Sequence, residues 1–218
     1  MTANTKEALL REVSAVFCEF LEAATHTLLF IRNVYPPEIF ERRRKFNVPV
    51  RQSRHKDLND YISGAVADMK QWMDKGLIEK VVLAVEDCAT KEQIERFVFE
   101  VDVDLTDQAQ SPAKGQVQAH SQAELEDALK QVLLKINIAD SVMPPVRTDA
   151  TFSLYVHAPT TIPQSSDDWE SLPAEEGGPR GGGGRAGPEQ GAILPLKSVQ
   201  AGALRMQVYA QSFGRQRG

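Results

Sequence analysis

The sequence predicts an α+β fold in which three main helices pack on an antiparallel sheet. Two observations carry that prediction. Three long stretches place apolar residues at helical spacing. The segments between and after them change to the shorter period and β-branched or aromatic content of strands. Helices laid against an antiparallel sheet satisfy this order, although the strand order itself does not follow from it.

The first helix is the clearest. Leu9, Leu10, Val13, Val16, Phe17, Phe20, Leu21, Ala24, Leu28 and Ile31 recur at helical spacing, which predicts a long central helix over residues 5–33. Its stripe is broad enough to lie across a sheet, and Pro36 and Pro37 end it. Residues 39–54 read as an irregular basic link containing Phe46, Asn47, Val48, Pro49 and Val50. Either Asp57 or Asn59 starts a second helix reaching Lys75, with Leu58, Ile62, Ala65, Val66, Met69 and Met73 inward and Gly76 as the breaker.

At Ile78 the period changes. Lys80–Val85 and Ile94–Val101, separated by polar and acidic residues, predict an antiparallel hairpin. Residues 102–119, polar and holding Pro112 and Gly115, predict a surface loop. Ser121 and Glu124 form a capping-box pattern at the start of a third helix, whose buried side is Leu125, Leu129, Val132, Leu133 and Ile136 and which reaches Asp140. Ala150–Val156 and Leu204–Tyr209 predict two further strands. Between them, residues 158–191 are rich in Pro, Gly and Ser, with the run Gly181–Gly184. So long an irregular insertion between strands points to a functional loop, mobile over much of its length.

The 218 residues, 42% hydrophobic and 25% charged, suit one globular domain. Cys18 and Cys88 are expected as reduced thiols, which implies a reducing intracellular compartment. The N-terminus lacks a secretory pattern, and no segment reads as a membrane span, since even residues 13–31 carry Glu19, Glu22 and His26. The formal net charge of −5 argues against a surface wholly devoted to nucleic acid. Charge is unevenly placed, however. Residues 41–56 hold seven basic side chains and one acid, and residues 86–107 hold eight acids against Lys91 and Arg96. Opposite patches suit oriented docking, and they equally suit a solvated surface. For the basic segment a solvated face comes first, partner docking next and direct DNA contact third.

No enzyme constellation emerges. His26, His55, His120 and His157 are scattered, and neither cysteine belongs to a metal-ligand motif. His26 is expected to satisfy a hydrogen bond at the core edge. Glu19 and Glu22 share a helix face but lack a matched ligand or nucleophile, and there is no serine nucleophile elbow. Residues 181–187 lack the lysine and hydroxyl residue of a phosphate-binding loop. Arg180 and Arg185 there are either linker residues or weak nucleic-acid contacts. Phe46 and Tyr61 are either peptide anchors or core aromatics. Trp169, between Asp168 and Glu170, is a large ring in a polar insertion and is expected to dock on a partner or on the chain itself, with simple exposure as the other reading. Trp72 is expected to pack.

The ordered sequence resembles one family closely. The matching residues run from Cys18-Glu19-Phe20-Leu21-Glu22 through Val34-Tyr35-Pro36, Ile39-Phe40, Phe46-Asn47-Val48-Pro49-Val50, Glu79-Lys80-Val81-Val82 and Arg96-Phe97-Val98-Phe99-Glu100. They continue through Leu134-Lys135-Ile136 and Ile193-Leu194-Pro195-Leu196-Lys197 to Met206-Gln207-Val208-Tyr209. This series, in order over nearly the whole chain, resembles the HORMA-domain accessory subunits of translesion DNA polymerase zeta. The resemblance implies a single HORMA domain over 1–218, with a C-terminal safety belt over 157–218 that includes a flexible glycine-rich insertion at 177–187. It implies a non-catalytic adaptor without cofactor or metal, in the nucleus, with the cytoplasm as a second location.

The implied partners are a peptide of the polymerase zeta catalytic subunit, held under the belt, and the C-terminal domain of the Rev1 translesion polymerase on another surface. A HORMA dimer and a remodelling ATPase are further partners implied, with direct DNA binding weak or absent. Tyr61, Phe152, Tyr155 and Trp169 resemble positions around the captured peptide; Ile193, Gln207 and Tyr209 resemble the second partner's surface. Lys130 resembles a self-association position where relatives carry arginine, and it lacks arginine's planar fork. Tyr155 stands where relatives have a smaller apolar residue, which would reshape the groove. The alternatives are a spindle-checkpoint or meiotic HORMA adaptor and a direct nucleic-acid-binding protein.

Overall fold

The computed structural model describes residues 3–104, 117–159, 169 and 192–213. The glycine-rich insertion at 177–187, Arg180, Arg185 and most of the loop expected at 102–119 lie outside them.

The long helix α1 spans Ala3–Ile31. Its stop lies before the two prolines. Asn33 adopts φ 51°, its N–H donates to the Phe30 carbonyl (3.1 Å), and the Val34 N–H reaches back to Leu29 (3.1 Å). This is a Schellman closure on asparagine, which tolerates the left-handed region better than most side chains. By length and composition the Lys6–Ile31 stretch does qualify as a membrane-span candidate, contrary to expectation, with a mean hydropathy of 1.3 in its best window. The same apolar stripe that fills a core raises that mean, and 67% of the window is buried inside the fold.

The expected irregular link is instead a two-stranded ribbon, β1 (Phe40–Lys45) and β2 (Val48–Ser53). Phe46 (φ 47°) and Asn47 (φ 59°) make the turn, and two successive positive φ values give the twist that joins paired strands. The run of arginines hid it. Only Phe40, Val48 and Val50 bury apolar side chains there, too few to display a period of two.

Helix α2 (Lys56–Met73) ends where Gly76, at φ 67°, lets Leu77 N–H reach the Trp72 carbonyl (3.0 Å). Strands β3 (Lys80–Asp87) and β4 (Gln93–Val103) form the expected hairpin. Helix α3 begins at Val117 and runs to Ile136, so Ser121 lies inside the helix and does not cap it. Strand β5 (Ala150–His157) follows, then β6 (Ala192–Ala201) and β7 (Leu204–Ser212). The β6 strand had no counterpart in the sequence reading. Pro195 argues against a strand, but β6 is an edge with a bulge between Pro195 and Lys197, where a missing N–H is tolerated.

The main sheet is antiparallel with order β5-β3-β4-β7-β6. One face, including Leu83, Phe97, Phe99, Phe152 and Val208, joins the core with α1. Phe20 of α1 meets Phe99 edge to face, 5.9 Å between centroids. Helix α1 packs in turn on α2, α3 and the ribbon. A buried ionic junction ties its end to the sheet: Arg32, 1% exposed, grips both Glu95 oxygens (2.8 and 2.9 Å) and also bonds Asp140 (2.6 Å) and the Pro144 carbonyl. The partner charges and hydrogen bonds compensate the desolvation that an isolated buried guanidinium would suffer.

A groove beside an edge strand

Among the described residues β5 pairs with β3 alone, so its other edge is open. Alternation divides its side chains between two faces. Phe152 and Leu154 are buried on the helix side, and Thr151, Ser153 and Tyr155 stand on the outer side. Helix α2 runs beside the helix-side face. There the half-exposed Tyr61 meets Phe152 edge to face at 5.5 Å, and Tyr35 closes on the same ring at 6.2 Å. Burial, the first cause, raises the Tyr35 pKa above its ordinary value.

Further along α2, the Trp169 ring packs edge to face on Trp72, 4.9 Å between centroids, and its indole N–H donates to Asp68 Oδ2 at 2.9 Å. Tyr61, Ala65, Asp68 and Trp72 follow one flank of the helix, next to the stripe that fills the core. Tyr61 to Trp72 is roughly 16 Å of helix, the length of about five extended residues. The groove is therefore aromatic at both ends, and along its other wall runs the β5 edge that no second strand occupies among the described residues. Such a wall can accept one more strand, and the aromatics can select its side chains.

The chain leaves β5 at one edge of the sheet and re-enters at β6 on the opposite edge. Trp169 belongs to that connection, so its contact with Asp68 and Trp72 pins the connection onto α2. Of its two expected docking modes, the chain itself is the one found. Trp72 packs as expected, at 4% exposure.

Tyr155 lies elsewhere. It stands on the outer face of the sheet, where its hydroxyl donates to Glu86 Oε1 at 2.7 Å, and Ser153 donates to the other Glu86 oxygen at 3.0 Å. Burial, followed by the neighbouring Glu86 carboxylate, raises the Tyr155 pKa. Cross-strand pairing carries one row from Tyr155 through Val82 and Val98 to Tyr209. Tyr209 donates to Glu100 at 2.9 Å, and burial with that carboxylate pushes its pKa up to about 12. Gln207 is paired with Glu100 and Ile193 with Gln211, so the three residues of the expected second surface share this outer face with Tyr155. Ile193 is 64% exposed. Lys130 is on α3, beside Asp127 at 3.4 Å and on a flank with the exposed Leu134 and Ile138.

The structure thus unites Tyr61 and Phe152, sets Trp169 at the far end of the same groove, and separates Tyr155 onto the other face. Sequence reasoning missed Tyr35, Asp68 and Trp72 as groove residues. A faint signal existed, because Asp68 and Trp72 sit four apart on α2, where an aromatic ring and a carboxylate make a receptor for an indole.

Comparison with known proteins agrees with this architecture. A family model described as the HORMA domain matches residues 14–169. The chain is 31% identical to human mitotic spindle assembly checkpoint protein MAD2B over 219 residues, covering 97% of each. It is 25% identical to the DNA polymerase zeta processivity subunit of Arabidopsis thaliana over 214 residues, 92% of this chain and 86% of that one. In fold it is similar to a chain of the mitotic checkpoint complex crystal structure, with a TM-score of 0.72 at 19% identity, covering 93% and 99% of the two chains. It also resembles HTP-2 bound to motif 6 of HTP-3, with a TM-score of 0.62 at 15% identity, covering 91% and 89%. With a family model across most of its length and a relative of matching length, this chain belongs to the HORMA-domain family.

Proposed function

We propose that this protein is a non-catalytic adaptor subunit of translesion DNA polymerase zeta that captures a peptide of the catalytic subunit and bridges it to the Rev1 polymerase. The observation that carries the reading is the β5 edge beside α2, which no second strand occupies among the described residues, with Trp169 of the β5–β6 connection held on Asp68 and Trp72. An extended peptide added to that edge satisfies its backbone hydrogen bonds along β5. Its alternate side chains then meet Tyr61, Phe152 and Trp169 on one side, and Ser153 and Tyr155 on the other. The connection serves as a belt that has to open for the peptide to leave, so release is slow without covalent chemistry.

The similarity to the plant polymerase zeta subunit supports the choice of partner. The human relative is named a mitotic spindle assembly checkpoint protein, which keeps a spindle-checkpoint adaptor as the second reading. The outer face with Ile193, Gln207 and Tyr209 serves as the Rev1 surface, and the α3 flank with Lys130 serves for pairing with a second HORMA chain. Work on damaged DNA places the protein in the nucleus.

Peptide capture tests the proposal. Labelled fragments of the polymerase zeta catalytic subunit and of checkpoint proteins are mixed with the full chain, and release is followed by fluorescence anisotropy. Selective capture of a polymerase fragment is expected. Trp169→Ala should speed its release at least tenfold, because truncating a packed indole removes roughly 1.4 kcal/mol or more of retention. Selective capture of checkpoint fragments would give the protein to the second reading.

A further inference from the structure

The outer face of β3 and β5 carries a charge that the fold leaves without a counter-ion. Glu86 is 9% exposed, and its two oxygens accept neutral donors, the Tyr155 hydroxyl at 2.7 Å and the Ser153 hydroxyl at 3.0 Å. Among the described residues no cationic side chain forms an ion pair with it. Lys80 and Arg96, on the same face, serve other partners: Lys80 pairs with Glu100 at 3.1 Å, and Arg96 bonds Gln211 at 2.8 Å and lies over the Phe213 ring. Two hydroxyls replace only part of the water that a carboxylate loses on burial. A carboxylate whose sole task was to hold Tyr155 would be as well served by an amide, which also accepts.

Strand register shapes this spot. Tyr155 stands opposite Val82, Ser153 opposite Ala84 and Thr151 opposite Glu86. For its hydroxyl to reach Glu86, the Tyr155 ring has to lean along the sheet across the Ala84–Ser153 row, where both side chains are small and Ala84 is fully covered. Ring face and carboxylate both attract a cation. β5 is the edge strand, so a strand added to it lies two strand spacings from β3, about 9.6 Å. A lysine or arginine side chain and Glu86 span that gap together, passing over the short Ser153. We infer that Glu86 and Tyr155 form a subsite for a lysine or arginine of the captured peptide, at an outer-facing position beside Ser153, a reading that rests on the capture proposed above. An acidic residue at that position meets Glu86 as a like charge and is rejected. The aromatics on the helix side select bulk, and this subsite selects charge.

Substituted peptides bound by the full chain provide the test. The fragment that the chain captures, from the polymerase zeta catalytic subunit or from a checkpoint protein, is synthesised with lysine, glutamine or glutamate at each position in turn, and affinity is read by fluorescence anisotropy. One position should prefer lysine over glutamate by at least about tenfold. Glu86→Gln should reduce that preference to within about twofold, while binding the glutamine peptide as the unaltered chain does. Glu86→Lys should reverse the preference, and gain of binding to the glutamate peptide shows at the same time that the variant folds. Capture with no position that prefers lysine overturns this inference and leaves the capture reading standing. A lysine preference that Glu86→Gln leaves at about tenfold does the same. Failure to capture a fragment of either class overturns both.

Discussion

His26 is almost fully buried on α1. Its Nδ1 accepts the Ser53 N–H at 3.5 Å, a long bond, and its Nε2 has no hydrogen-bond partner among the described residues. Burial lowers its pKa from 6.5 to about 4. Between those values the unfolded chain binds the extra proton and the folded chain does not, so this residue makes stability rise with pH from 4 to 6.5 and level off above. Unfolding by urea at pH 7.5 and pH 5 should differ by about 2 kcal/mol on this account. His26→Gln, which does not titrate, should remove that part of the difference. An unchanged pH dependence in the variant would assign it to other groups. The hydrogen bond expected of this histidine is present on one nitrogen only. Arg32 is a second case in which identity alone was uninformative: nothing near it in sequence announces Glu95 and Asp140, yet those residues keep a guanidinium inside the core.

Helix α2 performs two tasks with adjoining flanks. Leu58, Ile62, Val66, Met69 and Met73 fill the core, and Tyr61, Ala65, Asp68 and Trp72 form the groove wall. The first set was legible from periodicity, because it repeats on one face. Of the second, only Ala65 was, read together with the inward set; Tyr61, Asp68 and Trp72 were not, because a mixed row of tyrosine, aspartate and tryptophan has no period of its own. Gly64 interrupts this helix at an exposed position, and a Cβ there would meet nothing within 4 Å. Glycine inside a helix costs roughly 0.5–1 kcal/mol relative to alanine. Gly64→Ala should therefore raise the Tm by about 2 °C in a thermal scan; a fall would mean that the helix needs the freedom of glycine at that point. The ribbon shows the reverse failure of pattern reading. Its turn residues Phe46 and Asn47 lie within a stretch whose arginines mask the strand period, and only the pairing of Lys45 with Val48 exposes the hairpin.

Across the whole molecule, the sheet presents two surfaces of different make-up. The β5 edge opens toward α2, and the outer face runs from Tyr155 across Val82 and Val98 to Tyr209 and the exposed Ile193. If the two faces hold different partners, Ile193→Ala or Tyr209→Ala should weaken binding of the Rev1 C-terminal domain at least tenfold while leaving peptide release unchanged, both read by anisotropy on the same preparations. Parallel loss of both activities would show a common defect of the fold. From the sequence alone came the three helices, the β3–β4 hairpin, β5, β7 and the family, because each is written in local periodicity or in an ordered run of matching residues. Tertiary structure decided the strand order, the position of β6 at the far edge, and the side of the sheet on which each aromatic stands. Those features depend on which distant strands share backbone hydrogen bonds, and a single chain carries no local mark of that pairing. Hence Tyr155 and Phe152, three residues apart and expected together in one groove, stand on opposite faces, whereas Tyr155 and Tyr209 share one.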